Sequence, residues 1–579
     1  MAEPSATTPS SEEGGSVELR DPLSIMHALE GLAYQPCSIS VCFEDHSETR
    51  YPARFEFFDH VEKRLQIRVT NMPGLEAAFM ESGRLILIAE SAQQVVRFSG
   101  LCIQRTRHVE DGRVLETGLP EALHTDSKRQ SARVSLTSGM KVPLELVCFE
   151  GQAAIRGRLG DISNGGCMME LPLSRCGPLR VGMTVSLSMV FPSEERFEVS
   201  AEIRYVRPLA ASHHARVGLA FLSLAQAQMQ QLMHILSETE REVAWRNGEA
   251  MQFAGASTLY VATVARKGQR RTRGRPVEVR SPMVDDLRDI VRTQHLYLLA
   301  LQQKTPLPER ALAKSADRLI QLLKHNRQQM FYALGCLSDE PQWVQHSLCV
   351  SCRLCDLMLA EPEHASRARS AMLAALVHDM GKAMMVGSEF PTLEGEFEAD
   401  RRQRFRQHVP VLLEALEANA QVEKAMCLEI IQGINERLDG SGYPDGLEAE
   451  ALTPLSKMAA VIDVIDAMMR PRGDRRSSTA MEAYRFVYQH PEQFERHWVT
   501  RYVQRHGFYP IGSLVRFSRG YLAWVMRLDE SGQPTRVRVV RDLRQQEVVL
   551  NQVLERVDFA QLGELESLVS PEPYELTAY

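Results

Sequence analysis

Two short stretches near residues 129–166 carry residue types that bind anions and nucleobases. DSKRQSARVSL holds two arginines four positions apart, and GDISNGGCMM places a carboxylate, a hydroxyl and glycines in one turn. Arginine offers forked N–H donors for phosphate or a guanine edge, and a flat face that stacks on a base. Glycines in the turn let a ligand approach the backbone. The predicted ligand-binding residues are Arg129, Arg133, Asp161, Ser163, Gly165 and Gly166. Each stretch alone is also compatible with an ordinary structural turn.

A second group of residues has the character of metal ligands. ALVHDMGKAMM places His378 and Asp379 side by side in an apolar helix, with Lys382 one turn later. Adjacent ionisable side chains in such a helix are costly unless they are paired or bind a metal. Neutral imidazoles with carboxylates suit a divalent transition metal such as iron, manganese or zinc. The predicted metal ligands are His346, His378, Asp379, His408 and Asp463.

Taken together and in this order, the arginine pair and the D-x-S-x-x-G turn resemble the PilZ domain. VGLAFLSL, with Gly218 and Phe221, resembles the closing strand of that family. The resemblance implies that both motifs clamp cyclic di-GMP against a β-barrel. The preceding β-rich segment resembles the N-terminal companion barrel of flagellar-brake-type PilZ proteins. In those proteins, ligand at the junction reorients the two barrels.

The histidine and aspartate group resembles the HD hydrolase superfamily, and NERLDGSGYPDGL narrows the resemblance to HD-GYP. The residues that match the family signature are Glu436, Asp439, Gly440, Gly442, Tyr443 and Pro444. HD-GYP domains hydrolyse cyclic di-GMP. The resemblance therefore implies catalytic roles for Asp379, Lys382 and Arg437, the last two as contacts to phosphate oxygens.

The chain departs from HD-GYP at the two positions before Glu436. Ile434 and Asn435 stand where the family has two histidines that help to hold a second metal. Isoleucine cannot ligate a metal, and asparagine is a poor ligand for a transition metal. The resemblance therefore implies one ion in place of two, and a weak or inactive phosphodiesterase is favoured over an active one.

The sequence patterns around these residues predict a multidomain α+β protein, whose strands and helices must position them. Alternating apolar runs predict two small antiparallel β-barrels, helical periodicity predicts an all-α domain, and a short β-rich extension follows. The predicted boundaries are a disordered leader at 1–23, barrels at 24–122 and 123–246, a basic linker at 247–282, the helical domain at 283–505 and the extension at 506–579.

Size and composition exclude some classes of protein. A chain of 579 residues is too long for one core and predicts roughly three or four domains. The net charge of −7 argues against a protein built to coat nucleic acid. No apolar run is long enough to span a membrane. The 11 scattered cysteines suit a reducing cytosol, and Cys349, Cys352 and Cys355 are interpreted as small core residues.

Three functions stay open at this point. In the first, PilZ binding tunes hydrolysis of the same dinucleotide by the helical domain. In the second, the helical domain is a non-catalytic module that docks a protein partner through Gly442, Tyr443 and Pro444. In the third and weakest, the arginines within 266–275 bind nucleic acid.

Overall fold

The protein is described by a computed structural model. The described residues are 16–19, 25, 29, 38–44, 46–59, 64–90, 94–109, 111–127, 133–209, 212–247, 256–261, 281–305, 310–387, 390, 399–417, 423–471, 476–545 and 549–576.

The first barrel arises from strands that alternate inward apolar and outward polar residues. Its elements are β1 (Ser16–Leu19), β2 (Ser38–Phe43), β3 (His46–Asp59), β4 (Arg64–Thr70), α1 (Leu75–Glu81), β5 (Arg84–Glu90), β6 (Gln94–Val109), β7 (Gly112–Thr117) and β8 (Ala122–Ser127). Pairing of β6 with both β5 and β7 closes six strands into a barrel. β1 pairs with β8, so the sheet begins inside the predicted disordered leader. The rest of the predicted leader, residues 1–15 and 20–23, lies outside the described residues.

The second barrel follows the same alternating pattern. Its strands are β9 (Val134–Ser135), β10 (Pro143–Val147), β11 (Ile155–Ser163), β12 (Gly166–Pro172), β13 (Thr184–Val190), β14 (Arg196–Pro208) and β15 (His214–Phe221). Pairing of β10 with β11 closes six strands, and β9 extends the sheet beyond β11. Helix α2 (Gln226–Arg246) follows the barrel and buries Leu232 and Ile235.

Part of the predicted basic linker is ordered structure on this barrel. Thr258–Tyr260 form a 3-10 turn that buries Leu259 and Tyr260. The Ser193 backbone N–H donates to the Leu259 carbonyl at 3.1 Å. The predicted arginine-rich segment at 266–275 lies outside the described residues.

The third unit is helical, and its first helix starts where Ser281 and Pro282 supply an extended N-cap residue and a proline at the first turn. The helices are α3 (Pro282–Gln303), α4 (Ala311–Leu334), α5 (Gln342–Ala360), α6 (Ala368–Val377), α7 (Met380–Met384), α8 (Ala399–Phe405), α9 (His408–Glu417), α10 (Lys424–Met426), α11 (Pro454–Met468), α12 (Ala480–Gln489) and α13 (Arg496–His506). A π-helical stretch, Cys427–Gln432, and a 3-10 turn, Gly433–Asn435, connect α10 to the loop before α11.

The chain then forms a five-stranded antiparallel sheet, as the β-rich extension predicts. Its strands are β16 (Leu514–Phe517), β17 (Tyr521–Leu528), β18 (Pro534–Asp542), β19 (Val549–Glu555) and β20 (Leu565–Leu568). Their spatial order is β19-β18-β17-β16-β20. Among the described helices, none is both long and apolar enough to cross a bilayer. The predicted fold class, two barrels, a helical domain and a terminal sheet, is confirmed.

Candidate ligand turn and metal centre

The D-x-S-x-x-G sequence forms the tight connection between β11 and β12. Ser163 pairs with Gly166, so Asn164 and Gly165 form the exposed tip. The Ser163 side chain is buried, and its hydroxyl donates to the Gly166 carbonyl oxygen at 3.1 Å. In this structure Ser163 therefore stabilises the turn from inside.

The two glycines of the turn differ in their surroundings. A Cβ atom on Gly166 would lie 2.1 Å from the carbonyl oxygen of Leu219 on the neighbouring strand β15. A Cβ atom on Gly165 would meet nothing within 4 Å. Gly166 is therefore required by strand packing, whereas Gly165 leaves the tip of the turn open to an approaching molecule.

An ion pair joins Asp161 of the D-x-S-x-x-G sequence to Arg133, the residue just before β9. The Arg133 Nη1 atom donates to Asp161 Oδ1 at 2.8 Å, and both side chains are partly exposed. The pairing of β9 with β11 aligns Ser135 with Asp161 and so brings Arg133 beside the carboxylate. The predicted partner Arg129 lies outside the described residues. The structure therefore unites Arg133 with the turn, while Arg129 stays a prediction.

The second candidate site collects three buried side chains from distant parts of the helical domain. His346 lies on α5, His378 directly follows α6, and Asp463 lies on α11. One ligand atom from each lies within 4.8 Å of the other two. Asp463 Oδ1 is 2.9 Å from His346 Nε2 and 3.4 Å from His378 Nε2.

Asp379 and Lys382 lie at the edge of this cluster. The Asp379 carboxylate is 3.5 Å from His378 Nε2 and 3.7 Å from His346 Nε2. Lys382 Nζ lies 2.7 Å from Asp379 Oδ1. Gly381 permits the packing that holds α7 here, because a Cβ atom on it would lie 2.0 Å from the His408 carbonyl oxygen of α9.

The protonation pattern of His378 shows that the cluster fits a cation. Its Nδ1 lies 2.7 Å from the Ala375 carbonyl oxygen, which can only accept, so Nδ1 carries the proton. Nε2 has no hydrogen-bond partner among the described residues and lies 3.5 Å from the Asp379 carboxylate and 3.4 Å from the Asp463 carboxylate. A divalent metal between these atoms would satisfy the nitrogen and both carboxylates, and the donor set suits zinc, iron or manganese.

The electrostatics of His346 agree with this interpretation. Burial lowers the pKa of His346, but hydrogen bonds to Asp463 and Asp466 outweigh burial and raise it to about 9. The carboxylates thus attract positive charge to the centre of the cluster. A metal would take the place of the proton on Nε2.

Sequence reasoning missed Asp466, which supports the cluster from behind. Its carboxylate accepts from His346 Nδ1 at 2.7 Å and from Arg470 Nε at 2.6 Å, and it also pairs with Arg353. A carboxylate behind a ligating imidazole fixes the ring and increases its basicity. The signal that could have found Asp466 is the D-x-x-D spacing on α11, which puts it one turn after Asp463.

The predicted fifth ligand, His408, is buried on α9 beside this cluster. Its Nδ1 lies 2.9 Å from the Phe405 carbonyl, and Nε2 has no hydrogen-bond partner among the described residues. Burial, and then the nearby Lys382 ammonium, lower its pKa to about 4, so the ring is neutral at pH 7. His408 is not one of the three clustered ligands in the described part of the chain.

The signature loop is held by a buried carboxylate. Glu436 accepts the backbone N–H groups of Asp445, Gly446 and Leu447 at 2.8–3.2 Å. Arg437 donates to the Glu436 carbonyl at 2.7 Å and lies 5.0 Å above the Phe494 ring. The Tyr443 ring packs edge-on against His408 at 5.7 Å. Glu436 therefore shapes the loop, and Tyr443 brings it to the metal centre.

Ile434 and Asn435 lie at the start of this loop. Both are buried in the 3-10 turn, which packs against α11. α11 is the helix that carries Asp463.

Comparison with known proteins assigns both regions. Residues 127–238 match the PilZ domain and residues 332–494 match the HD domain, so the chain contains a PilZ domain followed by an HD domain. It is 31% identical over 249 residues to a cyclic di-GMP phosphodiesterase of Pseudomonas aeruginosa, covering 41% of this chain and 56% of that protein. It is 32% identical over 116 residues to the cyclic di-GMP phosphodiesterase response regulator RpfG of Xanthomonas campestris, covering 20% and 30%. The chain thus spans about half the length of the first relative and less than a third of the second.

Two solved structures resemble parts of the chain. The Escherichia coli YcgR complex with c-di-GMP is 17% identical, with a TM-score of 0.22 over 40% of this chain and 96% of that one. An HDG"Y"P protein from Bdellovibrio bacteriovorus is 13% identical, with a TM-score of 0.31 over 49% and 81%.

Proposed function

We propose that this protein is a cytoplasmic cyclic di-GMP-binding signalling protein, in which a PilZ sensor is coupled to a metal-binding HD-GYP-like domain. The observation that carries the proposal is the pairing of Arg133 with Asp161 beside the open glycine turn. These groups supply both chemistries that a guanine dinucleotide needs. The guanidinium offers donors for phosphate or a guanine edge, and the carboxylate offers acceptors for guanine N–H groups.

Binding changes the partners of this ion pair. Arg133 and Asp161 form an ion pair in the described structure. Both side chains are partly exposed, so water can solvate them when the pair separates. Arg133, with Arg129, would turn to the ligand while Asp161 accepts guanine N–H groups and Gly165 leaves room at the tip. Ser163 and Gly166 position the turn and lie beneath it.

The HD domain is proposed to hold one divalent transition metal on His346, His378, Asp379 and Asp463. When bound, such an ion activates water and offsets charge on a phosphodiester. Lys382 forms an ion pair with Asp379 and is proposed to contact an incoming phosphate oxygen. Arg437, which donates to its own loop here, is a second candidate for that contact.

We further propose that the second metal site is eroded, so that hydrolysis is weak or absent. His408 and the shared Asp379 are the ligands left for it, because Ile434 and Asn435 occupy the positions of the two family histidines. Losing an ion removes both nucleophile activation and charge stabilisation. This observation favours the alternative function, a receptor whose loop around Gly442, Tyr443 and Pro444 docks a protein partner.

Binding is tested by titrating cyclic di-GMP into wild type and Arg133→Ala. We expect about a 10- to 100-fold weaker affinity, since a hydrogen bond to a charged group contributes about 1.5–3 kcal/mol. Arg156→Ala is the matched control, because Arg156 is a more exposed arginine on the same barrel, paired with Glu145. Equal affinity of Arg133→Ala and wild type would refute the proposed binding site.

Hydrolysis is tested by turnover of cyclic di-GMP with added manganese or iron. Turnover that disappears in His378→Ala would support an active phosphodiesterase. Absence of turnover in wild type would support the alternative, a non-catalytic cyclic di-GMP receptor.

The eroded site is tested by Ile434→His with Asn435→His, which should raise the metal content from about one to two ions per chain. Two ions in the wild-type protein would contradict the erosion.

A further inference from the structure

A partly buried arginine, Arg180, connects the PilZ barrel to the helix that follows the metal centre. Arg180 lies in the segment after β12. This strand begins at Gly166, the last residue of the D-x-S-x-x-G turn, which we call the ligand turn. The Arg180 Nη1 atom donates to the carbonyl oxygens of Gly177 and Leu179, and its Nη2 donates to the Met384 carbonyl at 3.1 Å. Met384 ends α7, the helix that carries Lys382 and directly follows His378 and Asp379.

Arg180 is an unusual cation because it is mostly buried and its described partners are all carbonyl groups. Among the described residues, its hydrogen bonds go to the carbonyl oxygens of Gly177, Leu179 and Met384. Burial lowers the pKa of Arg180 to about 10, so it is charged at pH 7. Burial of a charge costs free energy, and the geometric fit of the guanidinium to these three carbonyl oxygens offsets part of that cost.

Helix α3 forms the other side of this joint. Gln302 Nε2 donates to the same Gly177 carbonyl at 3.0 Å, and Arg292 donates to the carbonyls of Leu209 and Ser212 in the barrel. At the opposite face, the fully buried Gln294 donates to the Leu376 carbonyl at 2.9 Å. Leu376 lies two residues before His378, so α3 bridges the barrel and the metal-binding segment.

We propose that Arg180 is a positioning residue that transmits the state of the ligand turn to the metal centre by holding the carboxyl end of α7. The segment 377–384 contains His378, Asp379 and Lys382, and Arg180 fixes its far end to the barrel. A movement of β12 on ligand binding would shift Gly177 and Arg180 and so displace α7. Metal affinity and dinucleotide binding are then coupled, and the coupling is reciprocal.

The proposal rests on dinucleotide binding by the barrel and is tested in the full chain with Mn²⁺ as the probe. Free Mn²⁺ is followed by electron paramagnetic resonance, with and without saturating cyclic di-GMP. We expect the dinucleotide to change the apparent Mn²⁺ affinity at least about fivefold, a typical allosteric coupling. In Arg180→Met this ratio should fall below about twofold, while dinucleotide affinity measured without Mn²⁺ is unchanged.

Two further variants make the result specific. Arg175→Met removes an exposed arginine from the same segment and should keep the wild-type ratio. Arg180→Lys keeps the charge but cannot span three carbonyls, so its ratio of Mn²⁺ affinities with and without the dinucleotide should be intermediate. This variant also tests the coupling if Arg180→Met does not fold. A wild-type ratio of one, or a full ratio in the Arg180 variants, would overturn the coupling.

Failure of the underlying function gives a different result. If wild type does not bind the dinucleotide, the comparison is made without it. Weaker Mn²⁺ affinity in Arg180→Met than in Arg175→Met would still support the positioning role. Equal affinities would overturn it.

Discussion

The ligand turn and the metal centre are built in opposite ways. The turn consists of contiguous residues at a hairpin, joined by one partly exposed ion pair between neighbouring strands. The metal centre draws buried residues from α5, α6–α7 and α11 and supports them with Asp466, Arg353 and Arg470. The side chains at the ligand turn can therefore exchange partners, whereas those of the metal centre are held in place by the buried groups around them.

This difference follows from solvent exposure. The Arg133–Asp161 pair is partly exposed, so water can solvate both groups when they separate to take a ligand. Buried charges must be compensated on every side, so removal of one member leaves others unpaired. Changes in the metal centre should therefore have larger effects than changes at the turn, and the two sets of effects should be separable.

The largest effect is expected from removing a metal ligand. His378→Ala should lower metal affinity by more than about 100-fold, since a ligand contributes more than the outer-shell groups, which are worth about 10- to 100-fold. Cyclic di-GMP affinity measured in metal-free buffer should not change. Metal content of the purified protein and a parallel binding titration measure both, with the exposed His325→Ala as control. Loss of both metal binding and metal-free cyclic di-GMP binding in His378→Ala would show that the two sites are not separate.

The supporting carboxylate should have the next largest effect. Asp466→Asn keeps the shape but weakens the acceptor behind His346, so metal affinity should fall by about 10- to 100-fold. Competition with a chelator measures the change. Asp317→Asn serves as control because Asp317 pairs with Arg369 at the surface. Unchanged affinity in Asp466→Asn would show that His346 needs no second carboxylate.

The two glycines sharpen the comparison at the turn. Gly166→Ala should destabilise the barrel by about 2 kcal/mol, because the new methyl group overlaps the Leu219 carbonyl. Gly165→Ala should leave stability nearly unchanged, since its methyl group enters open space. Denaturant unfolding of both variants measures the difference. Equal stabilities would contradict the packing role of Gly166.

The smallest effect is a pH dependence at the metal centre. His408 has a folded pKa of about 4 against an ordinary 6.5, so the unfolded chain binds a proton first as pH falls. Its contribution to stability is complete above pH 6.5 and is lost as pH falls toward 4.

Between pH 7 and pH 5.5 the metal-free protein should lose about 1 kcal/mol through this group. Urea unfolding at both pH values measures the loss, and His408→Gln should reduce it by that amount. An identical loss in the variant would assign the pH dependence to other groups.

Local patterns were sufficient for the elements and for most of the candidate residues. Alternating apolar residues predicted both barrels, and helical spacing predicted the all-α domain that α3–α13 form. Family signatures located His346, His378 and Asp463, which the structure clusters. β1 and the 3-10 turn at Thr258–Tyr260 have no local signal in the sequence, because they form by packing on residues far along the chain.

The sequence by itself determined which chemistry the chain carries: a guanidinium and carboxylate at a glycine turn, and imidazoles with carboxylates in an apolar domain. It also determined that Ile434 and Asn435 cannot supply imidazole ligands. Only the tertiary structure decided that Asp466 supports His346, that Ser163 faces inward and that Arg180 joins the barrel to α7. These contacts depend on backbone carbonyls and distant helices, which leave no local pattern in the sequence.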